Sequence, residues 1–71
     1  MKEATRLALA KLLRDSVTTG PEVVALQMRM QAIGMLSALL HEETLSASAH
    51  SAELILVELA AAQRAELKGT I

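Results

Sequence analysis

The sequence predicts an all-α protein, a three-helix antiparallel bundle completed by self-association, on three observations. Apolar residues recur at three- and four-residue spacing along most of the chain. One segment, "TTGP" at residues 18–21, concentrates the residues that stop one helix and start another. The hydrophobic fraction is 52%, yet no residue is aromatic, so the apolar area comes from Leu, Ala, Val, Ile and Met.

The first helix is expected over residues 2–17. Leu9, Leu12, Leu13 and Val17 fall on one face, while Lys2, Arg6, Lys11 and Arg14 take the others. Thr18 and Thr19 are poor in a helix interior. Gly20 suits the left-handed position that follows a helix, and Pro21 lacks the N–H needed to continue one. The same residues open the next helix: Thr19 or Gly20 as cap, Pro21 in the first turn, and Glu22 at the positive end of the dipole. A connection this short makes the two helices antiparallel neighbours.

The second helix, residues 21–43, carries more apolar residues than one face holds. Val23, Leu26, Met30, Ile33 and Leu40 form one stripe, interrupted by Ser37, and Val24, Met28, Met35 and Leu39 form another. The first stripe is assigned to packing within the chain. The second, Val24, Met28, Met35 and Leu39, is assigned to a partner protein or a second copy.

The third helix is expected over residues 46–67. Ala52, Ile55, Leu59 and Ala62 repeat at heptad-like spacing, Leu56, Ala60 and Leu67 extend that face, and Glu53, Glu58, Arg64 and Glu66 lie mostly elsewhere. Between Met35 and Lys68 there is neither glycine nor proline. Thr44, Ser46 or Ser48 could cap a new helix, and one continuous helix over 21–67 is the alternative. The closing "KGTI" reads as a helix stop with a short tail.

Seventy-one residues make one domain, near the size at which a core needs a disulfide, a metal or a partner chain. No cysteine is present, which removes disulfides and thiolate sites and favours a reducing compartment. The partner chain is what remains, so the chain is expected to be a homodimer or larger. The net charge of −1 is too small to argue for nucleic acid or an acidic substrate, although residues 1–20 are basic and residues 21–71 acidic, and nucleic acid is not the expected partner. No segment reads as a membrane span, and the basic residues Arg6 and Lys11 break any signal-peptide pattern, so a cytoplasmic location is expected.

No catalytic or cofactor-binding constellation is found, and none is expected. His41, Glu42 and Glu43 open a His-Glu-x-x-His pattern, but position 45 is Leu and His50 is out of phase, so no metal site is assigned. Ser46, Ser48 and Ser51 near His50 lack a carboxylate orienter. The single glycine of "TTGPE" is followed by an acid that repels phosphate, and stacking on single-stranded nucleic acid needs aromatics. A DNA-reading helix is the rival reading, as in small phage or plasmid regulators, and Gln27, Arg29 and Gln31 come nearest to it. Met28, Met30 and Met35 suit surfaces that accept other helices.

The short basic helix, the Gly-Pro-Glu break and the "PE…LQ" opening of "PEVVALQMRMQAIGMLSALLHEE" together resemble the helical-hairpin co-chaperones of bacterial type III secretion. The likeness covers residues 6–43. It implies a non-enzymatic protein that binds a larger helical-repeat chaperone or an aggregation-prone subunit. An adaptor, co-chaperone or small regulator acting through apolar helix faces is therefore the expectation.

Overall fold

A computed structural model describes residues 1–69 and shows three helices packed on one another: α1 (Glu3–Thr18), α2 (Glu22–His41) and α3 (Ala47–Gly69). Met1, Lys2 and Thr5 of the first segment share a hollow with Leu39, Glu42 and Thr44, which sets α1 and α2 antiparallel. Arg6 pairs with Glu53, and Arg64 reaches the end of α1, so α3 runs parallel to α1 and antiparallel to α2. The bundle is a rod, 42 × 19 × 19 Å. The expected tail residues Thr70 and Ile71 lie outside the described residues, and α3 continues through Gly69 rather than stopping at 67.

The core is thin. Leu9 of α1, Ala32 and Leu36 of α2, Leu45 of the link and Val57 of α3 form one buried cluster, with Leu12, Leu13, Met35, Leu39 and Leu54 packed against it. Ala25 and Ala60 are also buried, so three of the seven buried apolar residues are alanines that let helix backbones approach closely. The α1 face expected from the spacing of Leu9, Leu12, Leu13 and Val17 is the face that turns inward.

The two helix ends are built differently from expectation. Gly20 has no positive φ; α1 ends on Thr19 in extended conformation (φ −62°, ψ 144°), and Pro21, also extended, takes the cap position of α2 without a side-chain cap. A left-handed glycine is unnecessary there because Arg64 supplies donors to the orphan carbonyls. The second break is real, which excludes the continuous helix over 21–67. α2 ends at His41, two residues earlier than expected, because Glu43 takes the left-handed conformation (φ 61°). The Thr44 N–H then donates to Leu39 O at 3.0 Å and the Glu43 N–H to Leu40 O at 3.1 Å, the paired bonds of a Schellman stop. Of the three candidate caps, Ser46 is the one used: its Oγ accepts the Ala49 N–H at 3.2 Å.

By length and composition α2 is apolar enough to cross a membrane, with mean hydropathy 1.5, which residue-by-residue reading of shorter runs overlooked. Only 17% of its apolar window is buried in the bundle. Its two charged side chains, Glu22 and Arg29, pair with each other at 3.2 Å.

Candidate functional site

The features left over after the core is built are apolar faces pointing away from it. Val23 and Met30 are each 62% exposed, Leu26 46% and Ile33 39%. The expected allocation of stripes on α2 is therefore exchanged. Val24, Met28, Met35 and Leu39, assigned to a partner, are half-buried on the side turned toward α1 and α3, and Met35 and Leu39 pack against the core cluster. Of the stripe assigned to the interior, only Leu40 is half-buried.

The reason is steric and electrostatic. Ala25 and Ala32 lie on the Val24–Leu39 side of the cylinder, and a close three-helix contact selects the side with small residues; Val23 and Met30 there would hold the neighbours off. Glu22 fixes the rotation from one end, since its carboxylate must reach Arg64.

A similar rotation occurs on α3. Of its expected apolar face, Ala60 is buried as the spacing implies, but Ala52, Ile55, Leu56, Leu59, Ala62 and Leu67 are exposed, whereas Val57 and Arg64, off that face, are buried. Leu56 and Leu59 join Leu13 and Val17 of α1 along an open groove of about 600 Å³.

Arg64 is the residue that sequence reasoning misplaced most. Expected off the apolar face together with the glutamates, it is only 2% exposed. Its Nη1 donates to Ser16 O at 3.1 Å and to Thr19 O, its Nη2 to Gly20 O at 2.9 Å, and its Nε to Glu22 Oε2 at 2.7 Å. One guanidinium thus closes the carbonyl end of α1 and pairs with the first residue of α2, and the cation also faces the negative end of the α1 dipole. The signal that pointed to it was indirect: α1 has no basic residue in its last turn, so its terminal carbonyls needed donors from elsewhere.

Glu22 gathers three cations: Arg64, Arg29 at 3.2 Å and Lys68 at 3.8 Å. Hydrogen bonds from Arg64 first and Arg29 second hold its carboxyl below the usual carboxylate range. At the far end of the rod Glu53 pairs with Arg6 and raises the arginine's pKa further. Glu42 and Glu43, past the end of α2, form no ion pair among the described residues.

His41 is exposed at the end of α2, and His50 is half-buried in the first turn of α3. Gln27 and Gln31 are exposed, but the Arg29 side chain is turned to Glu22 and mostly covered. Comparison with known protein families, with curated proteins and with solved structures returns no match.

Proposed function

We propose that this protein is a non-enzymatic helical interaction module, an adaptor, co-chaperone or small regulator that works through its outer apolar faces. The observation that carries the reading is the inversion of size between inside and outside. Among the described residues ten large apolar side chains are exposed, whereas the buried apolar set holds seven residues, three of them alanine. Scattered exposed leucines need no explanation, but continuous stripes along α2 and α3 mark surfaces that associate.

The type III co-chaperone likeness is compatible with this reading and rests on residues 6–43. The rival, a DNA-binding regulator, would use Arg29 on an exposed α2, and that side chain is committed to Glu22. A membrane-spanning α2 would carry Arg29 into hydrocarbon.

Sedimentation of the full chain over a micromolar concentration range, alone and with duplex DNA at two salt concentrations, tests the proposal. Association that is driven by protein concentration and indifferent to DNA is expected. A monomer whose DNA affinity falls steeply with salt would replace this reading with the regulator.

A further inference from the structure

Gly34 sits in the middle of the exposed side of α2, and nothing within the chain requires a glycine there. A Cβ added to it meets no atom within 4 Å, and its φ is not positive. Glycine weakens a helix interior relative to alanine, so the residue costs stability without an intrachain return. On the same side Val23, Leu26, Gln27, Met30 and Gln31 precede it and Ser37 and Ala38 follow, with Ile33 at the edge. Apart from Ile33, the larger side chains lie before Gly34 and the small ones after it.

We infer that two copies of this chain pair through α2, antiparallel, about a twofold axis near Ala32, so that Met30 of each copy seats over Gly34 of the other. This register sets Leu26 opposite Ala38, Gln27 opposite Ser37 and Val23 opposite the terminal His41, and leaves Ile33 beside Gln31 at the edge of the contact. It overlaps nearly all of the 20-residue helix, about 30 Å of contact. The inference rests on the interaction-module reading and names its partner as a second copy.

Charge supports the same direction of pairing. The outer face of α2 carries no ionised side chain to repel its counterpart, because Glu22 and Arg29 are drawn together at its edge. At the N-terminal end of α2 the cations Arg29, Arg64 and Lys68 surround the single carboxylate of Glu22, an excess of positive charge. At the C-terminal end Glu42 and Glu43 sit at the negative pole of their own helix, where acids are unfavourable. Antiparallel pairing lays Glu42 and Glu43 of one copy beside the half-exposed Lys68 of the other.

The test uses the full chain and two symmetry-related changes. Gly34→Met opposes methionine to methionine and should raise the dimer dissociation constant at least tenfold, with helix content unchanged because the added side chain enters open space. Met30→Gly combined with Gly34→Met restores a large residue opposite a small one and should recover most of the loss. A mixture of Met30→Cys and Gly34→Cys chains should oxidise to the mixed 30–34 disulfide, whereas either variant alone should cross-link poorly. Failure of the swap to recover affinity, or disulfides formed by Met30→Cys alone, would overturn the register and leave self-association standing. A wild-type chain that stays monomeric would overturn the pairing itself, and a monomer that binds duplex DNA would overturn the underlying reading too.

Discussion

Arg64 donates from Nε to Glu22 Oε2 at 2.7 Å, joining the last helix to the first residue of the second across 42 positions of sequence. Because the same guanidinium holds the carbonyls of Ser16, Thr19 and Gly20, all three helices meet at this one side chain. Arg64→Ala should therefore destabilise the bundle by about 3 kcal/mol, since several buried acceptors lose their donor together. Arg64→Lys should recover less than half of that loss, as one ammonium cannot reproduce the planar fork. Urea unfolding of the two variants measures both.

Glu22 makes that junction sensitive to acid. Its carboxyl pKa is lowered in the folded chain by Arg64 and then Arg29, so the folded state favours the ionised form. The resulting stability is complete above the unfolded carboxylate pKa, about 4.3, and disappears as pH falls through the lower folded value. Wild type should melt above Glu22→Gln at neutral pH, and the two melting temperatures should converge in this acidic window. A gap that persists at the acid end would mean that the Glu22 charge is not its source. Because the Glu22 side chain is 60% exposed, solvent screens the pair and the gap should be small.

Two positions near helix ends have exchanged roles relative to expectation, and substitution should show it. Glu43 adopts φ 61°, where a side chain is strained, so Glu43→Gly should stabilise the protein by about 0.5–1 kcal/mol. Gly20 has no positive φ and open space at its Cβ, so Gly20→Ala should be neutral or stabilising by a few tenths of a kcal/mol. Thermal melts at one protein concentration decide both signs.

Those two residues show which parts of the fold were legible in the sequence. The α1 face and the "TTGP" break could be read because Leu9, Leu12 and Leu13 have no competing stripe and because a proline after Thr-Thr-Gly fits the start of a new helix but not the interior of the old one. The second break is ambiguous in the sequence because its left-handed residue is a glutamate, which does not advertise a stop. The rotations of α2 and α3 are not legible, apart from Ala60, which lies on the expected face of α3 and is buried. Periodicity locates stripes on a cylinder, but with two apolar stripes it does not say which one faces inward. That choice depended on Ala25, Ala32 and Ala60, whose small volume matters only once three helices meet. Arg64 was hidden by the same logic: a charged residue is ordinarily outside, and only the unpaired carbonyls of a distant segment brought this one in.

Leu36 and Met30 test the rotation of α2 directly, since they lie about a third of a turn apart on the same helix, one buried and one exposed. Leu36 is 2% exposed within the core cluster, so Leu36→Ala should cost about 2–4 kcal/mol in transfer free energy and cavity. Leu36→Asp should unfold the chain, as it buries a carboxylate with no partner. Met30→Asp places its charge on the outward side and should leave the circular dichroism of the separated chain intact while lowering its sedimenting mass. Ile33→Asp should behave more like Met30→Asp than like Leu36→Asp. If Met30→Asp and Leu36→Asp unfold the chain equally, the outer face is already covered in the folded protomer's only stable form, and folding and association are a single event. Loss of helix content on Met30→Asp with none on Leu36→Asp would show that α2 is rotated by about a third of a turn from the arrangement described.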